Sequence, residues 1–174
     1  AAALAEDGWR EIELLLTYSR RLGARETRLL SGVRWALPGD KAAVVEIAGN
    51  AYEHDRLHRD PMVPKEVADG VKREWASAAF ESGEGGTLVM QCENRVVGFL
   101  MPKLIDSAVI VDLLAVAPEF RGRGFARKLL DTAIHSFRSK LHIRAGTQRS
   151  NDAAIELYES SGFAIISRQS TFHK

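Results

Sequence analysis

The chain has 174 residues, 45% of them apolar and 27% charged, a balance that builds one globular core, with room for a small appendage, and excludes a disordered tail. Its formal charge of +1 leaves no general field for a polyanion, so no nucleic-acid partner is expected. No apolar run approaches the roughly 20 residues of a membrane span, the N-terminus lacks a signal-peptide layout, and the one cysteine, Cys92, cannot form an internal disulfide; a soluble protein of the reducing cytoplasm is expected, without membrane contact.

Between Gly8 and Leu22, Ile12, Leu14, Leu16 and Tyr18 alternate with Glu13, Leu15, Thr17 and Ser19. That period predicts a strand, although Leu15 interrupts the alternation and a helix also fits. Thr27 to Leu37 is a second β-like run, stopped by Pro38-Gly39, after which Asp40 is placed to cap a helix to about Tyr52 through Ala43, Val44, Ile47, Ala48 and Ala51. The segment from Glu53 to Pro61 is dense in charge and histidine, and Pro61 and Pro64 make it a loop of the kind that faces ligands. His54 and His58 lack the further ligands a metal site needs, so no metal is expected.

Pro64 then opens a helix from Lys65 to Phe80, with Val67, Val71, Trp75 and Ala78 or Ala79 on one face. After a flexible turn at 81–86, strands at Thr87–Cys92, Val96–Lys103 and Ala108–Val116 are joined by short links, the first an Asn94-Arg95 turn, as an antiparallel meander. A helix over 123–138 and a strand over Leu141–Thr147 follow, a unit that implies a parallel strand pair with a right-handed crossover. Asn151 or Ser150 caps a last helix, Ala153–Ser160, which Gly162 ends; Phe163–Ile166 and Ser170–Phe172 supply closing strands. The expected fold class is α+β, a mixed sheet covered by helices.

The richest stretch is Val109 to Ala126, a buried strand running into Arg121-Gly122-Arg123-Gly124 and then a helix. Glycines let the backbone approach a ligand, arginines add charge, and the helix start presents unpaired N–H groups, so this is either an anion site or a surface turn carrying arginines for solubility. It is not a Walker loop, which needs Gly-Lys-Ser/Thr at its end. The dinucleotide fingerprint fails as well, since its third glycine is replaced by Arg127 and the strand at 141–147 ends in Gln148-Arg149-Ser150-Asn151, with no acidic residue for a ribose.

Together, Arg121-Gly122-Arg123-Gly124-Phe125-Ala126 and Asn151-x-x-Ala154-x-x-Leu157-Tyr158-x-x-x-Gly162-Phe163 resemble the Gcn5-related N-acetyltransferases, over about residues 31–174. The resemblance implies a mixed, mostly antiparallel sheet in which the strands at 108–116 and 141–147 splay apart to form an acetyl-CoA cleft. It implies that backbone groups of Leu114, Ala115 and Val116 pair with the pantetheine arm, and that amides of Arg121, Gly122, Arg123, Gly124, Phe125 and Ala126 hold the pyrophosphate. It also implies that Asn151 contacts the cofactor arm and that Tyr158 lies near the thioester sulfur.

Acetyl transfer needs a base for the amine and an acid for the departing thiolate. Tyr158 is the expected acid, because a phenol with a reference pKa of about 10 stays protonated at neutral pH. For the base, Asp112 comes first, since a carboxylate amid Val, Ile and Leu is costly unless it faces a polar cleft; Glu74, His54 and His58 are alternatives. Residues 54–75 with 146–151 look like enzymes acting on nucleotide-linked amino sugars, of the dTDP-fucosamine N-acetyltransferase type. That likeness places His54, Arg56, His58, Arg59 and Gln148 at the acceptor, a primary amine of a small molecule.

Two other readings stay open. One is acetylation of protein N-termini, and the other is a noncatalytic acyl-CoA-binding regulatory module. Gly8-Trp9 and the run after it mirror Gly162-Phe163 and the run to Phe172, so 1–24 is expected as an N-terminal extension, the last strand of a degenerate first half, with 25–174 as the acetyltransferase domain. Alternatively that strand completes the sheet of another subunit in a homodimer.

Overall fold

The computed structural model describes residues 8–23, 29–137 and 139–173. The expectations for residues 1–7, for the start of the run at Thr27 and for Arg138 lie outside them. In chain order the elements are β1 (Arg10–Arg21), β2 (Val33–Trp35), α1 (Lys41–Ala51), α2 (Arg56–Arg59), α3 (Lys65–Ser82), β3 (Leu88–Cys92), β4 (Arg95–Ile105), β5 (Ala108–Val116), α4 (Phe125–Ser136), β6 (His142–Gln148), α5 (Asp152–Ser160) and β7 (Ala164–His173), with short 3-10 turns at Pro38–Asp40 and Pro118–Phe120.

The seven strands form one sheet in the order β2-β3-β4-β5-β6-β1-β7. Every neighbouring pair is antiparallel except β5 and β6, which run parallel across the α4 crossover. Strand β1 therefore lies between β6 and β7, where it pairs with both over most of its length. Its Ile12, Leu16 and Tyr18 turn inward, so the alternation in the sequence is that of a strand and not of a helix.

At the sheet centre, consecutive residues Val97 to Met101 of β4 are buried, which requires both faces to be covered. Helix α4 contributes Leu129, Leu130, Ala133 and Ile134 to that core, the three- and four-residue spacing of one apolar stripe. Gly98 fits beneath it for a steric reason. A Cβ there would lie 3.0 Å from the Ala115 carbonyl and 3.4 Å from Leu129.

Several local expectations are corrected. The loop at 53–61 contains the one-turn helix α2, because the Asp55 side chain accepts from the Leu57 N–H at 3.0 Å and caps it. Asp40 precedes α1 but does not cap it with its side chain, which is drawn back by Arg34 (2.6 and 2.9 Å) and the Leu37 N–H (2.7 Å). The two closing strands are one continuous β7, since β1 offers a partner along its length with two register shifts. The β3–β4 turn is at Glu93 and Asn94, whose φ of 50° and 60° is the left-handed pair a tight hairpin requires. Pro64 is the N-cap of α3 and not its first helical residue.

Helix α3 also turns a different face inward. Ala68, Asp69, Lys72 and Ala76 are buried, whereas Val67, Val71 and Trp75 are 54%, 42% and 44% exposed. The small Ala68 and Ala76 are buried on the side where the helix packs on α1, while Asp69 and Lys72 pair with His58 and Asp55 at α2.

Candidate active site

Strands β5 and β6 pair only from Ala108/His142 to Val111/Ala145 and then part. The residues just beyond, Asp112 and Gly146, face a cleft of about 290 Å3. One wall is β5 (Val111, Asp112, Leu114, Ala115, Val116); the other is Gly146, Thr147 and Gln148 of β6 with Asn151, Ala154, Leu157 and Tyr158 from α5 and its cap. The end of α1 and the next residues, Ala51 to His54, close a third side.

Beside the cleft, between the lining residues Arg121 and Ala126, Gly122 and Gly124 have φ of 74° and 75°, a conformation that glycine alone adopts at little cost. A Cβ on either would meet nothing within 4 Å, so the backbone there is open to a ligand. Helix α4 starts at Phe125 with no side-chain cap and no acidic residue in its first turn. Its first N–H groups thus have no partner from the helix itself, which suits an anion. Arg121 and Ala126 flank this loop and line the cleft. The arginine side chains do more bracing than expected: Arg121 donates to the Ala51 carbonyl at 2.7 Å and pairs with Glu53 at 3.3 Å, and Arg123 stacks on Phe120 at 5.0 Å. Phe125 packs beside the same ring, at 6.5 Å.

Tyr158, 4% exposed, is fixed between Tyr18 and Phe163, each with ring centroids 5.6 Å away. Burial pushes its phenol above the ordinary range, which keeps the proton on at neutral pH. Tyr18 in turn donates to Glu159 at 3.1 Å, so β1 holds the helix that carries Tyr158. Asn151 caps α5, its Oδ1 accepting from the Ala154 N–H at 3.1 Å, while its side chain still borders the cleft.

Across from Tyr158, the Asp112 Oδ2 accepts from the Trp75 indole N–H at 3.0 Å. The Lys72 ammonium lies 5.0 Å from the Trp75 ring and 4.8 Å from that of Tyr52, and pairs with Asp55 at 3.4 Å. His58 sits between Asp55 (2.7 Å) and Asp69 (3.0 Å), and Lys65 pairs with Asp69 at 2.7 Å. Burial opposes ionisation of Asp55 and Asp69, but Lys72 and His58 for the one, and Lys65 and His58 for the other, hold both below the usual carboxylate range.

Of the expected acceptor residues, His54 and Gln148 line the cleft, His54 lying 3.4 Å from the Ser150 hydroxyl. His58 does not, because both its ring nitrogens are committed to carboxylates inside the cluster, and neither Arg56 nor Arg59, both exposed on α2, borders the cavity. Among the alternative bases, Glu74 is on α3 outside the cleft lining. Tyr18, Tyr52, Lys72 and Trp75 were not singled out as site residues by the sequence. Tyr52 alone carried a signal, as a polar aromatic at the end of a helix beside a ligand-facing segment.

Residues 50–163 match the model of the acetyltransferase (GNAT) family. The chain is 31% identical over 138 residues to the spore coat polysaccharide biosynthesis protein SpsD of Bacillus subtilis, covering 78% of this chain and 48% of that protein. It is 31% identical over 98 residues to the ribosomal protein bS18-alanine N-acetyltransferase of Salmonella typhimurium, covering 51% and 64%. The chain thus spans about half the length of the first relative and under two thirds of the second. The solved structure of the PaiA N-acetyltransferase of Thermoplasma acidophilum in complex with coenzyme A is similar in fold over 80% of this chain and 94% of its own, with a TM-score of 0.66 at 17% identity. The splayed strands, the glycine loop and the match over most of the sequence agree: this chain belongs to the acetyltransferase (GNAT) family.

Proposed function

We propose that this protein is an acetyl-CoA-dependent N-acetyltransferase acting on a primary amine of a small molecule, with a nucleotide-linked amino sugar as the acceptor. The observation that carries the reading is that Asp112 and Tyr158 line one cleft from its two walls, with an anion-ready glycine loop beside it. Acetyl-CoA supplies the acetyl group as a thioester. The open backbone of Gly122 and Gly124 and the first amides of α4 suit its pyrophosphate, and the edge of β5 from Leu114 to Val116, paired with β4 on one side and left by β6 on the other, suits the amides of its arm.

Asp112, oriented by Trp75, takes the amine proton as the nitrogen attacks. Tyr158, neutral because it is buried, donates to the sulfur as it leaves. His54 and Gln148 face the acceptor side, and Gln148 is held by Glu13 of β1 at 3.1 Å. Strand β1 is read as the last strand of a degenerate first half-domain, which backs the acceptor wall through the contact of Glu13 with Gln148. The amino-sugar acceptor draws support from the polysaccharide role in the name of the Bacillus relative. The bS18-alanine relative favours a second acceptor, a protein N-terminus.

Release of free thiol from acetyl-CoA, measured with amino-sugar nucleotides and with peptides bearing an N-terminal alanine, separates these readings. Turnover is expected with the sugar nucleotides. Turnover on peptides alone replaces the acceptor, and saturable cofactor binding without turnover on any amine leaves a noncatalytic binding module.

A further inference from the structure

Tyr52 follows the last residue of α1 and lines the cleft, and its hydroxyl is buried without a hydrogen-bond partner among the described residues. Burying a polar group unpaired is costly, and a side chain kept that way at the floor of a ligand cavity points to a ligand that pairs with it. The group is also held in place. Lys72 lies over the Tyr52 ring, and the end of α1 is tied to the glycine loop by the hydrogen bond from Arg121 to the Ala51 carbonyl. The Leu114 backbone N–H lies near the phenolic oxygen without reaching hydrogen-bond geometry, and the hydroxyl proton remains to be donated. Burial, and after it the nearby Tyr158, Asp55 and Asp112, push the Tyr52 phenol far above the ordinary range.

The chemistry of the reaction leaves one vacancy for such a donor. Asp112 faces the amine and accepts its proton, and Tyr158 gives a proton to the sulfur. The atom on which negative charge builds, and which neither of them serves, is the thioester carbonyl oxygen. We infer that the Tyr52 hydroxyl is a catalytic hydrogen-bond donor to that oxygen, polarising the carbonyl before attack and stabilising the charge that develops on it. As the N–C bond forms and the C–S bond breaks, the Tyr52 proton stays on its own oxygen; the group contributes a fixed dipole from a buried position, where such donors act most strongly. The inference rests on the proposed acetyl transfer.

The test is the infrared carbonyl stretch of acetyl-CoA labelled with 13C at the carbonyl, free and bound, alongside turnover. In the wild type the band is expected at lower frequency when bound. In Tyr52→Phe, which keeps the ring under Lys72, the shift should vanish and kcat fall about 100-fold, with affinity for acetyl-CoA within about threefold. Tyr158→Phe should keep the shift while losing turnover. An unshifted band in the wild type, which needs no variant, overturns the inference alone, as does a shift retained in Tyr52→Phe. If the wild type binds no acetyl-CoA, the proposed function itself fails.

Discussion

Asp112 and Tyr158 divide the proposed chemistry between two residues whose surroundings were set independently, one by a strand pair that separates and the other by a cluster of three mutually tilted aromatic rings. Tyr158→Phe preserves that cluster and removes only the proton donor, so turnover by thiol release should fall about 100-fold while the acetyl-CoA dissociation constant changes little. Unchanged turnover removes Tyr158 from the acid role. Asp112→Asn keeps the shape and the contact with Trp75 but cannot take a proton, so turnover should fall by about 100-fold at neutral pH and recover in part with acceptors whose amines are already deprotonated. Both residues were legible in the sequence, Tyr158 through its motif and Asp112 as a lone carboxylate in an apolar strand. Trp75 and Tyr18 were not, because their partners lie 37 and 141 residues away in the chain and only the fold brings them together.

Elements with strong local signals were readable and those that depend on a partner were less so. The glycine loop and α4 are specified by Gly122, Gly124 and the spacing of Leu129, Leu130, Ala133 and Ile134, and the structure places all of them as expected, with α4 beginning at Phe125. The inward face of α3 was misread, since the apolar spacing of Val67, Val71 and Trp75 gives no hint that Lys72 and Asp69 are buried through ion pairs. Two measurements probe these elements. Gly124→Ala imposes a left-handed φ on a residue with a Cβ, at about 1 kcal/mol, and should raise the coenzyme A dissociation constant about tenfold in calorimetric titration. Asn151→Ala removes the cap of α5 and should lower unfolding free energy by about 1 kcal/mol in denaturant titration.

Across the whole molecule, β1 joins the beginning of the chain to its end, and the buried cluster of Asp55, His58, Asp69 and Lys72 joins α2 to α3. The strand pattern of β1 was readable from its alternation, but its seat between β6 and β7 was not, because alternation carries no information about neighbours. Asp55 and Asp69 ionise more readily in the folded protein than in an unfolded chain, where the value is about 3.9. Their contribution is therefore complete above about pH 5 and is lost as pH falls through the lower folded values. Thermal melts between pH 7 and pH 3 should show the midpoint dropping at the acid end, and Asp69→Asn should flatten that drop; a midpoint independent of pH over this range removes the cluster from the stability of the fold.

The claim on which all of this depends is that the parted strands and the glycine loop form a single acetyl-CoA cleft. Titration of the 15N-labelled protein with acetyl-CoA, followed by amide chemical shifts, tests it directly. Saturable shifts are expected, concentrated at Leu114 to Val116, Arg121 to Ala126 and Gly146 to Asn151. Saturation with those amides unmoved, or no binding at all, would contradict it.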